Sequence, residues 1–233
     1  KPYEISMKDR KEDQFFVFDS STRKLFNANI TDGVSAEPFI DASLLGYKPF
    51  GTDWLLYVVE SGQEGLVEAR LRRGNEDIKL RLMKTSDDYL LELAKLGDSP
   101  VIAVASTTEG FAVVYDDPQQ YIKNNPESKT PVPSAVLKTD GISDLSISTD
   151  SSALVAIGPE KFASYEFESE KSVVFNVEGK LDDGQEIHWL DGQHILFSVE
   201  GIQNIVDFEG SNQYSLVESV AALGSYYSND VER

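Results

Sequence analysis

The chain has 233 residues, of which 40 are acidic and 21 basic, and its formal net charge is −19. A balance this acidic disfavours a nucleic-acid-binding surface, which needs clustered Lys and Arg, and docking on an anionic membrane. The absence of cysteine removes disulfides, thiolate metal sites and cysteine nucleophiles. Hydrophobic residues make up 40% of the chain, too many for a disordered segment.

The ends of the chain give no targeting or membrane signal. The sequence begins at Lys1, and no basic segment leads into an apolar stretch. The most apolar run, 101–105, is far shorter than the ~20 residues that span a bilayer. We therefore expect a monomeric segment without direct membrane contact, taken from a longer or processed precursor.

An internal repeat of about 40 to 50 residues organises the chain. Four segments share a short alternating run, a tight turn rich in Asp, Gly or Ser, and a run that is apolar at successive positions: 47–60, 93–106, 145–158 and 187–200. A second pair of strands follows each of them: 65–82, 110–137, 161–177 and 201–218. A four-stranded antiparallel unit at this period is typical of a β-propeller blade. Because neighbouring blades cover both faces of a sheet, the second strand of each unit is apolar on both sides.

The number of blades depends on the two ends. The segment 14–30 resembles the outer strand pair of a fifth unit that lacks its first half. The C-terminal stretch 220–233 could supply an inner strand. The prediction is an all-β propeller of about four full blades plus a half-blade in one domain, 1–233. Two arrangements stay open, a closed five-bladed ring and a fragment of a larger propeller.

Two segments interrupt this pattern. The stretch 116–134 holds four of the nine prolines, and we expect an inserted outer loop in polyproline or turn geometry. In 86–96, Leu90, Leu91, Leu93 and Ala94 have helical spacing. The repeat nevertheless makes this segment an inner strand, and we predict a strand.

Candidate site residues are few. Glu92, Asp144 and Glu186 fall on predicted inner strands, where two carboxylates ~5–10 Å apart would permit glycoside hydrolysis. With 40 acidic residues in the chain, solvated charge that lines a central channel is the interpretation we prefer for them. The sequence has no Gly-x-Ser-x-Gly elbow, phosphate-binding loop or dinucleotide fingerprint, and we predict neither a catalytic residue nor a cofactor.

His188 and His194 are the only histidines in the chain. If Asp191-Gly192 forms a type I′ turn, the two imidazoles point to opposite faces of the hairpin and do not share a metal. We therefore predict no metal site, and a packed or surface role for both histidines. Trp189 and His194 are kept as ligand-binding candidates.

Several stretches resemble the propeller-like region of bacterial PEGA-domain-containing surface proteins. They are 114–138, 142–158, 189–213 and 225–233. In that family the region follows a membrane anchor and a small PEGA module, and neither is present in this sequence. The resemblance implies the exported portion of an envelope-anchored protein, with the anchor upstream, and it carries no functional residues over.

The leading hypothesis is a non-catalytic, extracytoplasmic β-propeller that serves as a binding or scaffold module for a protein or glycan partner. The alternative is a carbohydrate-active enzyme with carboxylates near the propeller axis. An intracellular WD-type scaffold is a third hypothesis, but the sequence lacks the Gly-His and Trp-Asp dipeptides that mark each repeat of that family.

Overall fold

The structure, a computed structural model, describes residues 3–8, 13–177, 179, 181 and 187–218. In these residues the strands form five four-stranded antiparallel sheets, each built from consecutive strands. Sheet 1 contains β1 (Tyr3–Met7), β2 (Gln14–Asp19), β3 (Lys24–Asn29) and β4 (Gly33–Ile40). Sheet 2 contains β5 (Leu44–Phe50), β6 (Trp54–Glu60), β7 (Leu66–Arg73) and β8 (Glu76–Lys84).

Sheet 3 contains β9 (Tyr89–Leu96), β10 (Ser99–Ser106), β11 (Phe111–Asp116) and β12 (Ala135–Lys138). A single helix of the described chain, α1 (Pro118–Asn124), lies between β11 and β12. Sheet 4 contains β13 (Asp144–Ile147), β14 (Ala153–Ile157), β15 (Lys161–Glu166) and β16 (Lys171–Asn176). Sheet 5 contains β17 (His188–Trp189), β18 (His194–Val199), β19 (Ile202–Asp207) and β20 (Tyr214–Glu218).

The second strand of the central sheets is buried on both faces, as the repeat predicts. In β10, Ile102 and Val104 pack against sheet 2, whereas Val101, Ala103 and Ala105 pack against sheet 4. Successive side chains of a strand point to opposite faces, so an unbroken apolar run is buried only if a layer lies on each side. The strand β6 is divided in the same way between sheets 1 and 3.

The sheets pack in chain order. Four apolar cores join sheets 1 and 2, 2 and 3, 3 and 4, and 4 and 5. Among the described residues no such core joins sheet 5 to sheet 1. The sequence-based prediction of stacked four-stranded blades is therefore confirmed.

The first sheet differs from its prediction. The segment 14–30 forms the central strands β2 and β3, not an outer pair, and β1 and β4 complete the sheet. The run Phe15–Phe18 explains this position, because an apolar strand on both faces is the mark of a second strand. The inner-strand position of sheet 1 is occupied by β1, and the 220–233 stretch lies outside the described residues.

The two interrupting segments have different outcomes. Tyr89–Leu96 is the strand β9, so the choice of strand over helix is confirmed. The 116–134 segment contains α1, so turn or polyproline geometry is wrong for residues 118–124. The Asp117 carboxylate accepts a hydrogen bond from the Gln120 N–H at 3.0 Å, and Pro118 stands in the first turn, where its missing N–H costs nothing. The assignment of residues 1–233 to a single domain stays a prediction.

The first strand of sheet 1 presents apolar side chains to solvent on one face. Phe16 lies in the core shared with sheet 2 and is 2% exposed. On the opposite face, Tyr3, Ile5 and Met7 are 58%, 70% and 61% exposed. Their partners on β2 are less exposed: Val17, which pairs with Ile5, is 8% exposed, and Phe15, which pairs with Met7, is half-buried. On this face the exposed apolar side chains are therefore those of β1.

We predict that the two faces of sheet 1 respond very differently to substitution. Phe16→Ala should lower the free energy of unfolding by about 3–5 kcal/mol, because it leaves a cavity in a closed core. Ile5→Thr keeps the β-branch on an exposed strand and should change it by less than about 0.5 kcal/mol. Urea unfolding followed by circular dichroism measures both. Equal losses would mean that Ile5 is covered in solution.

Candidate functional site

The first strands of neighbouring sheets bring charged side chains together. The strand β9 lies beside β5 on one side and β13 on the other. Lys48 of β5 donates from Nζ to Glu92 Oε1 of β9 at 2.9 Å. Asp144 stands at the start of β13, and its Oδ1 accepts the N–H of Leu145 at 2.8 Å. Two of the carboxylates predicted to line the axis, Glu92 and Asp144, are therefore on adjacent strands.

The environment of Glu92 favours its protonated form. Burial raises the pKa of Glu92 above its ordinary value of 4.5, and the negative charge of Asp144 adds to this. The Lys48 ammonium acts in the opposite direction, through its charge and its hydrogen bond. A partly buried carboxyl with a raised pKa, near a second carboxylate, is an arrangement suited to a general acid. The third axial candidate, Glu186, lies outside the described residues.

Trp189 is a packing residue in the described structure. Its side chain is buried in the core between sheets 4 and 5. The indole Nε1–H donates to Ser146 Oγ at 3.0 Å. The indole ring packs in this core and its one polar atom has a hydrogen-bond partner on the neighbouring sheet. Packing between the sheets therefore explains the position of Trp189 without a ligand.

The turn before His194 differs from its prediction. His188 pairs with Leu196, and Leu190 N–H donates to the His194 carbonyl at 2.9 Å, so three residues form the turn instead of two. The Asp191 carboxylate accepts the N–H groups of Gln193 and His194, each at 2.7 Å. This Asx-type cap competes successfully with the type I′ turn, and Gly192 does not adopt a positive φ.

The change of register reverses the prediction for the two histidines. Leu196 and His194 are two residues apart on one strand, so His188 and His194 share a face. The His194 imidazole lies between two carboxylates, with Nδ1 2.7 Å from Asp191 Oδ2 and Nε2 3.3 Å from Asp207 Oδ1. This bridge ties the turn to β19. In the part of the chain that the structure describes, no three His, Asp or Glu side chains converge on a position that could hold a metal.

A further candidate site is a cavity of about 810 Å³ at one end of sheets 1 to 3. Its walls come from the β2–β3 turn, the β6–β7 turn, the β8–β9 connection and the start of β5. Its floor is apolar, and is formed by Phe18, Leu44, Leu45, Leu66, Val67 and Tyr89. The volume lies within the roughly 300–1,000 Å³ found for ligand pockets.

The β6–β7 turn, 61–65, gives the cavity its open wall. Gly62 and Gly65 have φ of 74° and 73°, a region that disfavours any residue with a Cβ. Ser61 Oγ donates to the Leu66 carbonyl at 2.8 Å and fixes the base of the turn. The feature of the sequence that could indicate this site is the Ser-Gly-Gln-Glu-Gly stretch of the β6–β7 turn. It lengthens a turn that is shorter in the other units, but no chemical motif marks it.

The rim of the cavity is acidic. Glu60, Glu64 and Asp87 line it and are exposed, and Arg23 is the one cation among the described lining residues. Arg23 Nη1 lies 3.2 Å from Glu60 Oε1, so its charge is already compensated. Glu64 and Asp87 form no ion pair with any described residue. The cavity therefore combines an apolar floor with two exposed carboxylates that form no ion pair in the described part of the chain.

A second groove, of about 360 Å³, lies on the outer part of the interface between sheets 1 and 2. Tyr57 donates from its hydroxyl to Asp77 Oδ2 at 2.5 Å, and Arg70 Nε donates to Asp77 Oδ1 at 3.0 Å. Glu68 accepts from Arg70 and from Lys79. Burial and the neighbouring Asp77 raise the pKa of the Tyr57 hydroxyl. These groups all belong to strands of sheet 2 and satisfy one another, so the network is accounted for as hydrogen bonding within that sheet.

Comparison with known proteins supports the fold alone. No family model matches the chain, and no curated protein matches its sequence. The WD40 β-propeller domain of Doa1 has a TM-score of 0.51 and 13% identity, over 94% of this chain and 71% of that chain. The dihydro-heme d1 dehydrogenase NirN has a TM-score of 0.54 and 13% identity, over 93% of this chain and 48% of that one. Kluyveromyces lactis Hsv2 gives a TM-score of 0.44 at 11% identity, over 93% of this chain and 85% of Hsv2.

With its five four-stranded sheets and this likeness, the chain is a β-propeller protein. Sequence identity this low carries no activity or ligand from one propeller to another. No helix in the described residues has the length and hydrophobicity to cross a membrane.

We predict that Glu92 makes stability depend on pH in a defined direction. Because its pKa is raised in the folded state, the folded chain takes up this proton before the unfolded chain does. As pH falls from 7 towards 4.5, the wild type should therefore gain free energy of unfolding relative to Glu92→Gln. Below about 4.5 the difference should level off, since both states are then protonated.

Urea unfolding of both proteins at pH 7, 6, 5 and 4.5 measures this difference. The other carboxylates are the same in the two proteins, so their contributions to the free energy of unfolding cancel. The Gln amide oxygen can still accept from Lys48, so the variant removes the titrating charge and keeps an acceptor for this hydrogen bond. A difference that does not vary with pH would contradict the burial of Glu92.

Proposed function

We propose that this protein is a non-catalytic binding or scaffold module and that the cavity at the end of sheets 1 to 3 is its ligand site. The observation that carries the proposal is the cavity itself, about 810 Å³ with an apolar floor, in a fold whose central sheets have both faces covered by neighbouring sheets. Turns held by rigid strands are where propellers and other β-folds place variable binding residues. The partner is a protein or a glycan, and the acidic surface disfavours nucleic acid.

A test compares two tryptophans placed at opposite ends of sheet 2. Gln63→Trp puts an indole at the cavity mouth, and Asn75→Trp puts one on the exposed β7–β8 turn. Both positions are exposed turns, so both variants should fold. On peptide and glycan arrays we expect Gln63→Trp to abolish the specific signals of the wild type and Asn75→Trp to retain them. Signals unaffected by Gln63→Trp would contradict the site.

The alternative function is glycoside hydrolysis at the axis, and one observation favours it. The pKa of Glu92 is raised by burial next to Asp144, as a general acid requires. Against it, Lys48 already forms an ion pair with Glu92 at 2.9 Å. The same glycan panel separates the two functions. Glycan hydrolysis by the wild type that is lost in Glu92→Gln would favour the enzyme over the binding module. If no glycan is hydrolysed, the glycoside hydrolase hypothesis is wrong.

We also propose an extracytoplasmic location, with the module held at the cell envelope by an anchor upstream. Its support is the resemblance of 114–138, 142–158, 189–213 and 225–233 to the propeller-like region of PEGA-domain surface proteins. Fractionation of cells that carry the full-length gene product should place the protein with the envelope and leave it accessible to added protease. Recovery in the cytosol would overturn the location and leave the binding site untouched.

A further inference from the structure

We infer that the cavity takes an extended basic peptide segment, with a Lys or Arg next to an apolar side chain. This inference rests on the proposed function, because it names the ligand class of the same site. Its basis is the juxtaposition in the cavity of an apolar floor with rim carboxylates that no described cation neutralises.

The length of the cavity favours a peptide over a compact small molecule. Its lining runs across three consecutive sheets, from Ser20 of sheet 1 to Tyr89 of sheet 3. Sheets packed face to face lie about 10 Å apart, so the lining extends over roughly 20 Å. An extended chain covers that distance with about six residues.

The floor supplies the apolar part of the recognition. Leu44 and Val67 are buried beneath it, whereas Phe18, Leu66 and Tyr89 are half-buried and present their edges to the cavity. The Tyr89 hydroxyl is held in place because it accepts the Ser86 N–H at 3.0 Å. A side chain of the size of Leu or Phe entering here would exchange water for these surfaces, which is the main favourable term in association.

The rim supplies the charge selection. Glu64 and Asp87 come from the β6–β7 turn and the β8–β9 connection, so they flank the floor from two sides. Glu60 adds a third carboxylate, which Arg23 and Ser43 Oγ partly occupy at 3.2 and 3.1 Å. A basic peptide gains attraction from this rim and from a chain of net charge −19, whereas an acidic peptide is repelled by both.

The experiment selects ligands without assuming a sequence. The purified chain is incubated with a bead library of random octapeptides, and the bound peptides are sequenced against the starting pool. We expect enrichment of Lys and Arg adjacent to Leu, Ile, Phe or Met. The best peptide is then synthesised, and its dissociation constant is measured by fluorescence anisotropy at low and high salt.

Charge-reversal variants identify the residues responsible. The double variant Glu64→Lys/Asp87→Lys should weaken binding about tenfold or more, and the loss should shrink at high salt because exposed charges are screened. Glu76→Lys, an exposed charge reversal at the opposite end of sheet 2, should leave the affinity within about twofold. Circular dichroism confirms that all variants fold.

The outcomes separate this inference from the proposed function. Selection of acidic or uncharged peptides that Gln63→Trp still blocks overturns the ligand class and keeps the site. Glycans that bind the wild type but not Gln63→Trp, with no peptide selected, also overturn the ligand class and keep the site. Peptides that bind equally to the wild type and Gln63→Trp overturn the inference and remove the support for the site as well.

Discussion

The structure depends on covering both faces of the second strand in each sheet. A strand such as β10, with Val101–Ala105 fully buried, cannot exist in an isolated four-stranded sheet, because one set of its alternate side chains would face water. Stacking removes this cost only when a neighbour lies on each side, so each central sheet stabilises two others. Nearest-neighbour packing of this kind confines free surface to the strand ends, the axis and the faces of the terminal sheets.

The interfaces between sheets are not equivalent. Sheets 3 and 4 meet through small residues that face large ones, with Ala103, Ala105 and Ala163 in the same core as Tyr165 and Phe167. Such pairing of small with large side chains fills space and allows close approach. Sheets 1 and 2 instead combine an apolar core with a hydrogen bond between the sheets, in which Arg72 Nη1 of sheet 2 donates to the Phe39 carbonyl of sheet 1 at 2.9 Å. A hydrogen bond across an interface restricts how the two sheets can slide, since a displacement leaves a polar group without its partner.

Much of the fold could be predicted from the sequence because second strands carry a strong signal. Four second strands and their partners were found in the right order from apolar runs and turns. The sequence does not indicate the first strand of the N-terminal sheet, because β1 has only five residues and four of them are exposed, so no buried run marks it. The Asp191 turn was misassigned because a side-chain cap, invisible to a residue-type rule for turns, decides the register of the hairpin.

The candidate site was only partly predictable for a related reason. Glu92 and Asp144 both lie on the first strand of a sheet, so the repeat places them on adjacent strands. Lys48, which pairs with Glu92, lies on the first strand of the sheet before it, and nothing in its local sequence indicates that contact. The cavity depends on turns from three sheets. Turn residues follow no period, and their meeting in space is a property of the stacked fold.

The acidic rim and the apolar floor of the cavity have separate physical roles. The exposed carboxylates of Glu64 and Asp87 stay hydrated in the free protein, so they cost the fold little. Their field acts over about 8–10 Å at physiological salt, which affects how quickly a charged partner arrives more than how long it stays. Half-buried Phe18, Leu66 and Tyr89 contribute only on contact, when water leaves, and therefore govern dissociation. Because the two sets lie on different elements, a change in the turns can alter which partner is admitted while the strands beneath keep both the floor and the fold.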